Sequence, residues 1–580
     1  MKLTSNLISG IVILFFVFVS ADDSNDWWKS SILYEIFIRS FKDSDGDGTG
    51  DLNGITTKLD HFVHLGIDSI YLTPFYKSPM DDMGYDVSNY TEVDPMFGNM
   101  NDFERLVHEV ENRGMKIVID LVINHCSDNH EWFKKSVNKI KPYDEYFIWK
   151  DAKGFDKNGE PIPPNNWISV FGGSAWEWNA NRKQFYLHQF GRQQPDFKLR
   201  NTNVKNEMKK ILEFWFVKGV HGFRIDAPKH FYEDEHFRDE PFLNTKKHKT
   251  GGFTYNDFNH IYTTDLWETY EFINELRLFT DQLQKTRGGI ERIFVAEAYT
   301  DMNNTMAYYG TKHFKVTHYP FNFGLVSLEN PVTANEIDSK IMKWITNMPK
   351  GETPNWNLEN HDHRRMNSKT SKEHATIILM NVMMLPGVVY LYYGQEIGMM
   401  NGLVRFDQIQ DHLGGSEKKK FITRDYERSP MQWDDTMNAG FTSNLEAYLP
   451  IDPTYWKLNV ERQKAEHNSF YTMFKNLTRL RQTNTCKYGE LKTQIVSKWM
   501  YIISRTLPGY PTYYVITNFG PEYETIDLLD YIVDDTSVLT VETSSANSGY
   551  IYKHKFKIDN PFPNLFVMKP FSGVVLSTIK

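Results

Sequence analysis

Three acidic residues in this chain end short apolar runs. Asp226 closes Gly222-Phe-Arg-Ile-Asp226, Glu297 closes Arg292-Ile-Phe-Val-Ala-Glu297, and Asp362 closes Asn355-Trp-Asn-Leu-Glu-Asn-His-Asp362. A carboxylate at the end of a buried strand is costly to desolvate unless a partner stands beside it. Arg224 lies two residues before Asp226, and residues two apart in a strand project to the same face, so the two can meet. The guanidinium would hold Asp226 ionised and aimed. Arg-x-Asp by itself reads as a structural ion pair. Three strand-end acids with His125 and His361 beside them ask for more. Two carboxyl groups about 5 to 5.5 Å apart suffice for retaining glycoside hydrolysis, one as nucleophile and one as acid. Crowding raises the pKa of one member, which then carries the proton that a leaving oxygen needs.

The elements that must position these acids alternate along the chain. Residues 32–39 read as a strand, 61–65 as helix, 68–73 as strand, 101–112 as amphipathic helix and 115–122 as a nearly all-apolar strand. A helix over 264–283 precedes the strand at 292–297, and a helix over 371–384 precedes another at 387–392. Continuous apolar strands between helices imply a parallel sheet covered on both faces. At least seven such units favour an α/β fold of the closed (β/α)8 barrel type, whose strand ends meet in one mouth. From 127 to about 192 the pattern turns irregular and rich in Pro, Gly, Trp and Asn, as expected of a subdomain inserted after the third strand. Beyond about 490 short strands take over and predict a small antiparallel C-terminal β domain. The expected division is 1–21 leader, 22–125 and 193–489 barrel, 126–192 insertion, and 490–580 C-terminal domain.

Composition sets the surroundings. At 580 residues the chain exceeds one ordinary core. A net charge of −9 with no basic block argues against a nucleic-acid partner. Residues 7–19 are apolar and lead to Val19-Ser20-Ala21, so cleavage of a secretory signal after Ala21 is expected, with an uncleaved anchor as the alternative. No apolar C-terminal tail suggests a lipid anchor. Asn89, Asn303 and Asn476 are acceptor sites for N-glycosylation. Cys126 and Cys486 are expected as free thiols. Asp43-Ser-Asp45-Gly-Asp47-Gly-Thr49-Gly-Asp51 gathers oxygen ligands as a hard cation such as calcium requires. Gly54 stands where an EF-hand needs Glu, so the loop is read as a metal loop of another kind or as a solvated Asx-turn loop.

The motifs Asp120-Leu-Val-Ile-Asn-His125, Gln194-Pro-Asp196, Gly222-Phe-Arg-Ile-Asp226, Val295-Ala-Glu297, Asn360-His-Asp362 and Pro430-Met-Gln-Trp433 together resemble the α-amylase family of retaining glycosidases. Within it they resemble the α-glucosidases akin to insect maltases and oligo-1,6-glucosidases. The resemblance implies that Asp226 is the nucleophile, Glu297 the acid and then the base, and Asp362 a binder of sugar hydroxyls. It implies that His125, His361 and Arg224 hydrogen-bond the glucose or the nucleophile, and that Tyr85 stacks under the ring. Asp82 and Arg428 would close the pocket behind the non-reducing end, which makes an exo-acting enzyme on small oligosaccharides such as maltose and sucrose. Ala227 would set linkage preference. Asp43, Asp45, Asp47, Asp51 and the carbonyl of Thr49 would hold calcium. Three departures stand out: Phe197-Lys198 where Leu-Asn is usual, Cys126 where Thr or Ser is common, and Glu359 where Gly is usual, adding a charge near the mouth. Other readings are a non-catalytic transporter heavy chain or receptor, and a sucrose isomerase or trehalose-acting enzyme.

Overall fold

A computed structural model describes residues 26–243, 252–411, 423–532, 538–558 and 564–578; the expected leader lies outside these. Among the described residues eight parallel strands form one sheet: β1 (Ile32–Ile36), β2 (Ser69–Leu72), β3 (Lys116–Leu121), β4 (Gly222–Ile225), β5 (Ile293–Ala296), β6 (Tyr319–Pro320), β7 (Asn355–Asn357) and β8 (Val388–Tyr392). The ladder runs β6-β5-β4-β3-β2-β1-β8-β7. Its two ends are stitched by a side chain: Asn355, fully buried on β7, donates to Pro320 O and accepts from the Asn322 N–H at 2.9 Å. The sheet is therefore a nearly closed barrel, with an amide side chain standing in for main-chain pairing at the seam.

Register places polar groups inside the barrel. Arg224 of β4 lies opposite Asp120 of β3, and Glu35 of β1 opposite Tyr71 of β2. All four are buried. Tyr71 donates its hydroxyl to Asp120 at 2.5 Å, so the interior beneath the mouth is a linked polar layer rather than aliphatic packing.

The outer helices follow their sequence periods. Met100–Asn112 buries Phe103, Leu106, Val107 and Val110, and starts with an Asn99/Asp102 capping box. Lys372–Met383 is buried nearly all round because the C-terminal domain covers its outer face. Asn381 there donates to Thr517 at 3.2 Å. The C-terminal sheet runs Glu490–Ile495, Met500–Thr506, Tyr513–Asn518, Ser572–Thr578, Val538–Ser544, Lys555–Lys557, all antiparallel. Tyr501, Ile503 and Val515 face the barrel core; the alternate Met500, Ile502 and Ile516 fill a second core.

Between β3 and β4 lie the helix Glu131–Val137 and a three-stranded sheet in which Gln184–Leu187 pairs with Trp149–Lys150 and Trp176–Asn179. Its core of Trp167, Trp176, Phe185 and Leu187 is separate from the barrel's. Two local readings change. The first strand stops at Ile36 and turns into a single 3-10 turn, Ile38–Ser40, and the helix read at 264–283 is Trp267–Arg287.

Candidate active site

Asp226 directly follows β4 and Glu297 directly follows β5, and these two strands are paired, so both carboxyls emerge at the same end of adjacent strands. Arg224 binds both. Its Nη1 donates to Asp226 Oδ1 at 2.5 Å and to Asp120 Oδ1 at 2.8 Å, and its Nη2 lies 2.5 Å from Glu297 Oε1. Burial pushes the Asp226 carboxyl above its ordinary value; Arg224 opposes this, and the neighbouring Asp362 and Asp82 add to it. Burial pushes Glu297 further, well above the carboxylate range, with Arg224 again opposing and Asp226 and Asp362 adding repulsion. Three carboxylates thus share one guanidinium, and the surplus negative charge favours keeping a proton on Glu297.

Asp362 sits at the tip of a tight turn whose ends, Asn360 and His363, pair as an isolated bridge. Its Oδ1 accepts from Arg424 and from Arg428, both at 3.0 Å, and its Oδ2 lies 3.3 Å from His361 Nε2. Burial opposes ionisation here, but His361, Arg424 and Arg428 together hold Asp362 well below the usual carboxylate range. The expected partner of Asp82 is corrected by this geometry. Arg424, not Arg428, contacts Asp82, at 2.8 Å, and the same guanidinium holds Asp411 through two bonds of 2.8 and 2.9 Å. Arg428 lies deeper, donating through Nε to His361 O at 2.7 Å, with its guanidinium over the Phe37 ring. Arg424 shows no motif in the sequence. It lies six residues before Pro430, and the fold, not spacing, brings it to Asp82.

The remaining expected residues converge on the same place. His361 Nδ1 is 2.5 Å from Glu35 Oε1, and its ring stacks on Tyr85 with centroids 5.6 Å apart. The Tyr85 hydroxyl lies 2.7 Å from His361 Nε2 and 3.0 Å from Asp120. His125 is buried, its pKa lowered to about 4 by desolvation, so it is a neutral hydrogen-bonding group. Gln194 ties it to the pocket end, donating to Asp82 at 2.9 Å and lying 3.2 Å from His125 Nε2. Ala227 adopts a left-handed conformation (φ 41°, ψ 43°), and its N–H points to Glu297 Oε2 at 3.4 Å. Sequence reading missed Tyr299 and Phe323. They stack with centroids 3.9 Å apart; Tyr299 stands two residues past Glu297 and stays 37% exposed. A strand-end acid followed two residues later by an aromatic was the available signal.

In the Asp43 loop, carboxylates of Asp43, Asp45 and Asp51 lie within 4.8 Å of one another. Asp47 and Thr49 belong to the same loop, with Asp47 accepting from the Thr49 N–H, but are not part of that close group. The oxygen-only donor set and the mutual repulsion that helps raise the Asp47 pKa fit a divalent cation of the calcium type. Asn303 is exposed, Asn89 half-buried, and Asn476 half-buried within the helix Phe470–Arg481. Both cysteines are free and buried. Phe197 is buried against Tyr90, Trp132 and Phe147. Glu359 does not add charge at the mouth. It is buried, accepting from the Met366 N–H at 2.6 Å and facing Arg365 at 3.5 Å.

Residues 35–489 match the α-amylase catalytic-domain family. The chain belongs to that family. It is 39% identical to Maltase 1 of Drosophila virilis over 96% of this chain and 87% of the relative. It is 38% identical to a salivary α-glucosidase of Anopheles gambiae, over 86% and 85% respectively. It is also 36% identical to the human amino acid transporter heavy chain SLC3A1, over 85% of this chain and 71% of that protein. Among solved structures it superposes on a mutant isomaltulose synthase from Erwinia rhapontici in complex with sucrose, with TM-score 0.81 and 29% identity, over 96% of this chain and 100% of that one. Membership of the α-amylase family accords with the barrel, the inserted segment and the antiparallel C-terminal sheet.

Proposed function

We propose that this α-amylase-family chain is an exo-acting α-glucosidase that hydrolyses terminal non-reducing α-1,4-linked glucose and sucrose with retention. The observation that carries the reading is the pairing of Asp226 and Glu297 on adjacent strand ends, beside a pocket end tied off by Asp82, Arg424 and Gln194. The carboxylate of Asp226 attacks the anomeric carbon as the bond to the leaving oxygen breaks, and Glu297 delivers its proton to that oxygen. Water then attacks the glucosyl ester; Glu297 takes its proton, and Asp226 departs as carboxylate. Asp362, held ionised, binds sugar hydroxyls. Ala227, whose N–H points to Glu297, and Tyr299, two residues past it and partly exposed, would face the leaving sugar. A second sugar hydroxyl can replace water, giving transglucosylation.

Initial rates on maltose, sucrose, isomaltose, trehalose and starch test the reading, together with proton NMR of the first glucose released. Maltose and sucrose should lead and α-glucose should appear first; β-glucose first overturns retention. A transporter heavy-chain role is the rival. Against it stands the complete set of acids at the barrel mouth. Secretion rests on the leader sequence, and glycosylation is assigned most firmly to exposed Asn303.

Calcium would be held by Asp43, Asp45 and Asp51, completed by Asp47 and the Thr49 carbonyl, and would supply cross-linking of the loop between β1 and the first helix. Chelation should lower Tm more than it lowers room-temperature activity. An unchanged Tm on a protein carrying no ion leaves the loop as a solvated turn.

A further inference from the structure

Behind the Asp362 turn lies a buried ion pair that the mechanism does not use. Glu359 follows β7 by two residues, and both it and Arg365 are buried, Arg365 completely. Glu359 accepts from the Met366 N–H at 2.6 Å through one oxygen and faces Arg365 Nη1 at 3.5 Å with the other. The pair closes the base of the segment that carries Asn360, His361 and Asp362. Arg365 in turn donates to Tyr393 O at 2.6 Å, and its guanidinium lies 4.5 and 4.7 Å from the ring centroids of Tyr392 and Tyr393. Those two tyrosines reach the chain on either side of Arg428: Tyr392 donates to Glu427 O at 3.2 Å and Tyr393 to Ser429 O at 2.6 Å. Arg428 returns to Asp362 Oδ1 at 3.0 Å. The contacts form a closed circuit, from Glu359 through Arg365, the tyrosine pair and Arg428 back to Asp362.

We propose that Glu359 is a positioning residue for the reaction, fixing Asp362 relative to Arg428 through Arg365 and the Tyr392–Tyr393 pair. The proposal rests on the α-glucosidase reading for its kinetic readout only. The charge matters as well as the geometry. Among the described residues two nitrogens of Arg365, Nε and Nη2, have no hydrogen-bond partner, so the Glu359 carboxylate and the two tyrosine rings are the compensation for a guanidinium removed from water. Interactions that Asp362 makes with a distorted sugar ring are strongest in the transition state, so misplacement should lower kcat more than it raises KM.

Three variants of the full chain test this: Glu359→Gln, which keeps an acceptor for Met366; Glu359→Gly; and Glu359→Gly with Arg365→Leu, which leaves no orphan charge. Maltose kinetics are read beside amide hydrogen exchange of residues 358–367 and 425–431. Glu359→Gly should lose roughly tenfold or more in kcat with KM changed less than threefold, and exchange should quicken at least tenfold in both segments. The double variant should regain thermal stability but not kcat, and Glu359→Gln should fall between. The proposal is overturned if the double variant has wild-type kcat, or if exchange at 425–431 is unchanged while 358–367 loosens, either of which leaves Glu359 a local stabiliser. If wild type itself does not cleave maltose, the functional reading fails, and the exchange of 425–431 still decides the coupling.

Discussion

Two arginine-centred clusters share the barrel mouth, built from the same residue types with opposite outcomes. Around Arg224, three carboxylates, Asp120, Asp226 and Glu297, face one guanidinium. Around Arg424 and Arg428, three carboxylates, Asp82, Asp362 and Asp411, face two guanidiniums, with His361 beside Asp362. Burial resists ionisation in both places. In the first cluster burial wins and the carboxyl pKa values rise; in the second the added cations win, and Asp411 falls to about 2 while Asp362 falls further. The count of fixed cations, more than depth, sorts which acid can carry a proton and which stays a fixed anion.

The strongest way to break this comparison is to remove the proposed proton carrier or the proposed nucleophile. Glu297→Gln and Asp226→Asn should each lower kcat by roughly 10³-fold or more while the protein stays folded. Wild-type turnover in either purified variant, checked with maltose, ends the assignment. Next in size is the cation count. Arg424→Met leaves Asp362 with Arg428 and His361, so its pKa should rise toward the ordinary range. The plateau of kcat/KM should fall about 10²-fold, since a charge-assisted contact set is lost at the pocket end, while the acid limb stays where the raised carboxyl of Asp226 sets it. An unchanged plateau would show that the Arg424 contacts do not hold Asp362 for the sugar.

The two clusters also differ in how far sequence could reach them. Asp226, Glu297 and Arg224 lie at the ends of apolar strands with a two-residue period, so local pattern and the barrel rule place them together. The second cluster is built from loops. Asp82 lies beside the strained turn residue Met83 (φ 52°), and the sequence before Arg424 carries no apolar period, so no periodicity aligns them. The substitution of Arg424 for Arg428 as the partner of Asp82 is thus a tertiary fact. The same reason hid β6, a two-residue strand too short to show a pattern, and Glu359, whose charge looked surface-bound until its partner six residues on was seen. The helix at Met100–Asn112 was legible to within a residue because its caps and its apolar stripe are both local.

A smaller effect comes from an exception within the cation-rich region. Glu427, next to Arg428, is buried, and desolvation pushes it up to about 8, with Arg428 opposing and Asp362 adding repulsion. Among the described residues its carboxylate accepts a long 3.4 Å hydrogen bond from Asn401. A pKa raised on folding means the native state holds a proton that the unfolded chain has lost. This stabilisation is fully present below about pH 4.5 and is lost as pH rises through about 8, amounting to a few kcal/mol. Glu427→Gln should flatten the decline of Tm between pH 5 and 8. An identical slope in both proteins would mean that Glu427 is ionised throughout.

The last effect acts on the choice of substrate more than on turnover. Ala227 follows Asp226, is half-buried at the mouth, and its N–H points at Glu297. In the proposed reaction a methyl there would leave room for a leaving sugar joined through its 4-hydroxyl, and a branched Val would fill that space. One or two methyl groups discriminate by roughly 1–3 kcal/mol, so Ala227→Val should shift the ratio of kcat/KM for isomaltose over maltose upward by tenfold to about 200-fold. The structure adds a cost. Ala227 sits at φ 41°, ψ 43°, a left-handed conformation that a β-branched residue resists by roughly 1–2 kcal/mol, so a fall in Tm of a few degrees should accompany the change. That strain also bears on Glu297, because relaxing it would turn the 227 N–H away from Oε2 and loosen the first cluster. Comparison with Ala227→Ser, small and unbranched, separates the two effects. Serine should keep the maltose preference and the Tm, whereas valine should change both. If the ratio is unmoved in the Val variant, or if wild type already favours isomaltose, Ala227 is not the determinant and the substrate reading must be reopened.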